Sequence, residues 1–195
     1  ISACLVGSEM CIRDSMYAVY HGPEGLERIA RRVASYTAIL ARGLAELGAP
    51  LREVPSFDTL SLHTGAATQA IVERAVSLGA NLRVYFKEYL CISLDETTTR
   101  ADVELLWKIF ARDGQALPSF AAFEKGVEPL IPDSLRRSSD FLTHPVFNTH
   151  RSETAMLRYI RQLSDKDLAL DRSMIPLGSC CLLYTSPSPR DRQKS

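Results

Sequence analysis

The string MIPLGS, residues 174–179, is the part of the sequence best suited to receive a ligand. A Pro-Leu-Gly-Ser turn exposes backbone N–H groups that can bind an anion. Ser179 places a hydroxyl beside those donors. Because many loops contain Gly-Ser, the string alone predicts an anion-binding turn and no particular reaction.

Three residues could be considered as metal ligands. His144 and His150 lie on either side of a Pro-containing turn, and Glu153 follows. Their spacing is not the tight spacing of a metal site. We therefore expect hydrogen bonding at an exposed junction between a loop and a helix, and no metal.

Charged residues near the predicted strands are better explained by structural roles than by ligand binding or catalysis. Arg83 points away from its apolar neighbours and could grip a carboxylate with two hydrogen bonds, but a structural ion pair is the commoner role. Asp95 and Glu96 look like a pair of carboxylates. Since adjacent side chains on an extended segment point apart, we expect them to serve the entry of a helix.

The composition indicates a globular protein that can bury a core. Hydrophobic residues make up 46% of the 195 residues and charged residues 24%. The 23 basic residues equal the 23 acidic ones, which excludes bulk attraction to nucleic acid or to an acidic membrane. No apolar run is long enough to predict a transmembrane helix.

Both ends of the chain resemble translated sequencing adapter. The strings are SEMCIRDS near the start and LYTSPSPRDRQKS at the end. We expect residues 1–14 and 181–195 to be non-native flanks, with genuine flexible tails as the alternative. Of five cysteines, only Cys91 then lies securely inside the body. A lone cysteine predicts neither disulfides nor a metal cluster and fits a reducing compartment.

The elements that position these residues follow from hydrophobic periodicity. The predicted order over residues 22–114 is helix, strand, helix, strand, strand, helix. Only three residues separate the last two strands, so they predict an antiparallel hairpin. Thr99 and Asp102 form a predicted capping box, and Trp107 is placed at the edge of the apolar stripe of the last helix. This order predicts an α+β domain, with helices packed on a small, largely antiparallel sheet.

The remainder of the chain divides into a linker and a second segment. Residues 115–140 contain several prolines and predict a linker that includes a turn of helix. A helix is predicted at about residues 152–163. Residues 141–180 are too few to bury a core, so this segment needs a partner surface that the chain does not contain.

Four longer strings together resemble one enzyme family. They are MYAVYHGPEGLERIA, ISLDETTTRADVELLW, FLTHPVFNTHRSETAMLRYI and DKDLALDRSMIPLGSC. In this order, over about residues 15–180, they resemble the P-protein of the glycine cleavage system, the glycine decarboxylase that depends on pyridoxal phosphate. The family continues the last string as SCTMKLN, whereas Cys180 is followed here by Cys181. The likeness therefore ends where the adapter-like tail begins.

The resemblance implies a place for this chain within a longer enzyme. Residues 15–114 would be the small C-terminal domain of the first half, which has the fold-type I architecture of pyridoxal-phosphate enzymes. Residues 141–180 would begin the second, catalytic half of a fused single chain. The lysine that holds the cofactor would lie beyond this chain, so the fragment itself should be inactive.

The resemblance also implies partners and site residues. Glycine would be the substrate, the lipoylated H-protein the acceptor of the aminomethyl group, and a homodimer the assembly. Gly178, Ser179 and Cys180 would approach the substrate or cofactor, with His144 and Asn148 as further candidates. The Ala- and Arg-rich helices favour a bacterial cytoplasm, and a eukaryotic protein would belong in the mitochondrial matrix.

Two alternatives remain at this point. The chain could be an independent α+β regulatory or ligand-binding module whose C-terminal helix contacts a partner. It could also be the small domain of another fold-type I enzyme, such as an aminotransferase, because that class shares the order of helices and strands.

Overall fold

A computed structural model of the chain describes residues 3–52, 55–112, 114–128 and 130–166, with the backbone alone described for residues 3–10. The described residues form two compact units. One is residues 27–139, and the other combines the residues before 27 with those after 139. The predicted domain boundaries at residues 114 and 141 stay predictions.

The described residues contain six helices and three strands. The helices are α1 (Ala3–Glu46), α2 (Thr68–Ser77), α3 (Arg100–Phe110), α4 (Phe120–Glu124), α5 (Val146–Thr149) and α6 (Glu153–Ser164). The strands are β1 (Thr59–His63), β2 (Arg83–Tyr85) and β3 (Tyr89–Ser93). Short 3-10 turns occupy Gly65–Ala67 and Asp133–Leu135. In this part of the chain no helix has the length and apolar character needed to cross a lipid bilayer.

The sheet confirms the predicted α+β class. Its strand order is β1-β3-β2, and both pairings are antiparallel. The β2–β3 pair is the predicted hairpin, with Tyr85 opposite Tyr89. Leu60 and Leu62 of β1 and Leu90 and Ile92 of β3 are buried. Because side chains alternate along a strand, these four residues share one face, and that face meets the helices.

The first helix begins upstream of the predicted start near Pro23. Its backbone is interrupted at Gly22, where φ is 62° and ψ is −178°. Proline has no N–H to donate and disfavours helical geometry in the residue before it. Glycine adopts a positive φ without steric cost, so the Gly22–Pro23 pair allows a break between two helical stretches. Downstream of the break, the predicted apolar face, which includes Leu40 and Leu44, is buried as expected.

Trp107 lies in the centre of the core, so its predicted position at the edge of the apolar stripe of α3 is wrong. Its side chain is 0% exposed, and its indole N–H donates a hydrogen bond to the Leu40 carbonyl at 3.1 Å. Gly43 makes room for the ring. A Cβ at that position would lie 2.6 Å from Cζ2 of Trp107 and closer still to two neighbouring ring atoms.

Part of the predicted linker packs into the core. Phe120, at the start of α4, is 2% exposed. Its ring meets Tyr36 edge-on at 5.4 Å between centroids and lies 6.4 Å from the Trp107 ring. This stretch of the predicted linker therefore contributes to the hydrophobic core of the unit formed by residues 27–139.

The predicted starts of α3 and α6 are confirmed. At α3 the Thr99 hydroxyl accepts a hydrogen bond from the Asp102 N–H, and the Asp102 carboxylate accepts one from the Thr99 N–H at 2.7 Å. At α6 the Ser152 hydroxyl accepts a hydrogen bond from the Ala155 N–H at 3.2 Å. Side chains therefore satisfy backbone donors that a helix start leaves unpaired.

Candidate functional site

The predicted site residues fall into two groups. Gly178, Ser179 and Cys180 lie outside the described residues, so their proximity to a ligand stays a prediction. His144 and Asn148 are described, and both are exposed on the turn that leads into α6.

Asn148 fastens this turn through its side-chain amide. Its Nδ2 donates to the carbonyl oxygens of Leu142 and His144, each at 3.2 Å. Leu142 has a φ of 50°, a conformation that is costly for a bulky side chain. One of the two hydrogen bonds from Asn148 ends on the carbonyl of this strained residue, and together they hold the turn closed.

His144 has one ring nitrogen engaged in the turn. Its Nδ1 accepts a hydrogen bond from the Val146 N–H at 3.2 Å. A neutral imidazole with Nδ1 as acceptor carries its proton on Nε2. The Nε2–H of this exposed ring is therefore the group that His144 can offer to a ligand.

Arg151 was missed by the sequence analysis. Its Nη2 donates to Oδ1 of Asn148 at 2.7 Å, and its Nη1 forms an ion pair with Oε2 of Glu24 at 3.2 Å. A Cβ at Gly22 would lie 2.7 Å from the same Nη2 and also 2.7 Å from the backbone carbonyl oxygen of Phe147, so glycine is needed for this close approach. These contacts join α1 to the turn before α6 across 127 residues of sequence.

The arrangement suits positioning better than direct chemistry. The amide of Asn148 is engaged at both ends, by Arg151 and by two backbone carbonyls. Asn148 therefore orders the segment and has little capacity left to hold a ligand. His144 is the better candidate of the two for direct contact.

The other histidine of the segment is held by a ring. His150 stacks on Tyr159 of α6 with 4.2 Å between centroids and 12° between planes. Within the described ranges, no group of three or more potential ligands is placed to hold a metal ion.

Arg83 makes a contact other than the expected ion pair. Within the part of the chain that the structure describes, no ion pair forms at Arg83, and its guanidinium lies 5.8 Å from the centre of the Tyr85 ring. Its use as a carboxylate clamp has no further support here.

Asp95 belongs to the turn that enters α3, as predicted. Its carboxylate accepts hydrogen bonds from the hydroxyl of Thr97 at 2.7 Å and from the Thr97 N–H at 2.9 Å. These bonds favour the ionised form, so they lower the pKa of Asp95. A lowered pKa is the opposite of what a general acid needs.

The described residues do not fit a site for pyridoxal phosphate. Such a site requires a lysine placed to form a Schiff base with the cofactor. The described lysines, Lys87, Lys108, Lys125 and Lys166, are all exposed. None of them lies in an enclosed site, and none is assigned a role in holding a cofactor.

Comparison with known proteins supplies a family. The family model described as "Glycine cleavage system P-protein" matches residues 3–110. That match begins inside the segment predicted to be a non-native flank, and the native boundary stays a prediction.

Two curated relatives extend the likeness over most of the chain. The protein "Glycine dehydrogenase (decarboxylating)" of Variovorax paradoxus (strain S110) is 60% identical over 174 residues, covering 89% of this chain and 18% of the relative. The protein of the same name from Cupriavidus metallidurans (strain ATCC 43123 / DSM 2839 / NBRC 102507 / CH34) is 51% identical over 185 residues, covering 95% and 19%. The chain thus spans about a fifth of the length of the relatives it matches.

Proposed function

Because this chain belongs to the glycine cleavage system P-protein family, we propose that it is part of a glycine decarboxylase that depends on pyridoxal phosphate. The observation that carries the proposal is 60% identity, over most of the chain, to a protein named glycine dehydrogenase (decarboxylating). Family membership also argues against the aminotransferase and independent-module alternatives.

The proposed reaction splits glycine and keeps its amino-bearing carbon. The carboxylate leaves as carbon dioxide, and the aminomethyl group passes to the lipoyl disulfide of the H-protein. One sulfur of that disulfide bonds to the carbon and the other becomes a thiol, so the disulfide is reduced as the carbon is oxidised. Pyridoxal phosphate supplies the electron sink for such chemistry when it is bound.

The residues of this chain are proposed to support that site from outside it. Gly178, Ser179 and Cys180 would form the turn that approaches the substrate or cofactor. Asn148 and Arg151 would hold the preceding segment in place, and their hydrogen bond of 2.7 Å supports this role. The exposed ring of His144 remains the described group best able to contact a ligand.

The assembly and location of the whole enzyme are also proposals. Residues on both sides of the linker occur in one chain, which supports the fused form and, with it, a homodimer. Relatives from two bacteria support a bacterial cytoplasm over a mitochondrial matrix.

The experiment is to recover the full coding sequence and assay its purified product. With pyridoxal phosphate and lipoylated H-protein, the full-length protein should exchange labelled bicarbonate into the carboxyl group of glycine. The exchange should fall greatly when the H-protein is omitted or when it carries no lipoyl group. A full-length protein that lacks a downstream cofactor lysine, or shows no exchange under these conditions, would remove the assignment.

A further inference from the structure

The tip of the β2–β3 hairpin, residues 83–88, is exposed in a way that its own fold does not explain. Phe86 is 75% exposed and Tyr85 is 46% exposed. The two rings contact each other, with 4.2 Å between centroids, and the Arg83 guanidinium lies over Tyr85. Together they form a continuous aromatic and cationic surface at the edge of the sheet.

The backbone of the tip is strained at the same place. Phe86 and Lys87 have φ values of 47° and 61°. Hairpin turns with successive positive φ angles favour Asn and Gly, because bulky side chains pay a steric cost there. A phenylalanine held in this conformation, with its side chain in solvent, gains little from its own domain.

The anchoring of the hairpin does not depend on the Phe86 side chain. The Glu88 carbonyl accepts hydrogen bonds from the N–H groups of Thr64 and Gly65, at 2.8 and 3.0 Å. The Glu88 carboxylate lies 3.6 Å from Nε2 of His63. These contacts fix the base of the tip and leave Phe86 and Lys87 projecting.

The tip carries two basic side chains and one acidic one, so its net charge is positive. Arg83 and Lys87 form no ion pair in the part of the chain that the structure describes, whereas the carboxylate of Glu88 faces His63. The surface is therefore aromatic and locally positive. Its complement is an apolar pocket with carboxylates at the rim.

Most of the full-length protein lies outside this chain. The chain covers 18% and 19% of the two relatives, so about four fifths of such a protein is available to cover the tip. We propose that the tip docks into an apolar pocket with an acidic rim on the part of the same full-length polypeptide that lies outside residues 1–195. This inference rests on the proposal that the chain belongs to such a longer enzyme.

Trypsin cleavage after Lys87, mapped by mass spectrometry of the peptides, tests the docking. The bond after Lys87 should be cut in the 195-residue chain. In the full-length protein its cleavage should be slower by roughly tenfold or more, because burying one phenylalanine side chain stabilises the docked state by enough to reduce the open state by that factor. Phe86→Ala in the full-length protein should restore much of the cleavage. Leu135→Ala is the matched control, since Leu135 is 69% exposed and lies outside the hairpin.

A second variant separates docking from local stability. Asn tolerates a positive φ, so Phe86→Asn should raise the urea midpoint of the 195-residue chain while it reduces the protection of Lys87 in the full-length protein. A rise in both quantities would overturn the proposal. Equal cleavage after Lys87 in the two proteins would also overturn the proposal. So would protection of the 195-residue chain that increases with the concentration of the chain, because it would indicate that a second copy covers the tip.

The two proposals fail separately. Exchange of bicarbonate into glycine by a full-length protein whose Lys87 stays accessible would refute the docking and leave the proposed function intact. A protected Lys87 in a full-length protein without exchange activity would support the docking and refute the proposed function.

Discussion

Replacement of Gly43 by alanine probes the contact at the centre of the core. A glycine in an exposed helix interior costs about 1 kcal/mol relative to alanine, so an unhindered change to alanine would stabilise the protein by that amount. Here the new methyl would overlap the Trp107 ring, which is completely buried and bonded to the Leu40 carbonyl.

We therefore expect Gly43→Ala to destabilise the protein instead of stabilising it. Forcing a methyl group into a filled core costs about 1–3 kcal/mol. Displacing the indole also weakens its hydrogen bond, which is worth about 1 kcal/mol. Together these costs exceed the gain in helix propensity, and we expect Gly43→Ala to lower the free energy of unfolding by about 1–3 kcal/mol.

Urea unfolding of the 195-residue chain measures this effect. Trp107 is the single tryptophan of the chain, so its fluorescence reports on the affected site, and circular dichroism gives an independent midpoint. In a Trp107→Phe background the smaller ring should accommodate the methyl group, so the cost of Gly43→Ala should shrink. A stabilisation of about 1 kcal/mol by Gly43→Ala in the original background would refute the packing argument.

Three further predictions follow from other contacts. Phe120→Ala should lower the free energy of unfolding by about 3–5 kcal/mol because the ring is buried, whereas Ala122→Ser on the exposed side of the same helix should have little effect in the same urea titration. Hydrogen bonds from Thr99 lower the pKa of Asp102 below its ordinary 3.8, so this carboxylate adds stability above that pH and loses it as the pH falls through the lowered pKa. Asp102→Asn should reduce stability at pH 7 and flatten the acid limb of the unfolding midpoint against pH, and an unchanged acid limb would contradict the role of the cap. In the full-length enzyme, Ser179→Ala should impair glycine turnover with the unfolding midpoint unchanged, and unaltered glycine kinetics would remove the MIPLGS turn from the site.

Much of the α+β unit was predictable because its signals are local. The apolar stripe that includes Leu40 and Leu44 follows helical spacing, and alternation marks the strands of the hairpin. The capping box at Thr99 is defined by two residues three positions apart. Such patterns report their structure without knowledge of distant residues.

The buried features that were missed depend on distant pairings. The burial of Trp107 requires Gly43 opposite it, and the indole bonds to a carbonyl 67 residues earlier. Phe120 is buried because Tyr36 and Trp107 lie beside it, although its proline-rich surroundings predict a linker. These contacts cannot be predicted from any local pattern of residue types.

The candidate site shows the same division. The turn at His144 was placed correctly at a loop–helix junction, where both histidines are engaged locally. The Arg151–Glu24 ion pair joins residues 127 positions apart, and only a folded chain brings them together. The strongest candidates, Gly178 to Cys180, lie outside the described residues and rest on the turn chemistry of MIPLGS and on the resemblance.

The central proposal is that this chain is part of a glycine decarboxylase whose cofactor lysine lies elsewhere in the full-length polypeptide. The most direct measurement supplies the purified 195-residue chain with glycine, pyridoxal phosphate and lipoylated H-protein, and follows labelled carbon dioxide beside a full-length enzyme as the positive control. The account predicts release by the full-length enzyme and none above background by the chain. Release of carbon dioxide by the chain alone would contradict it.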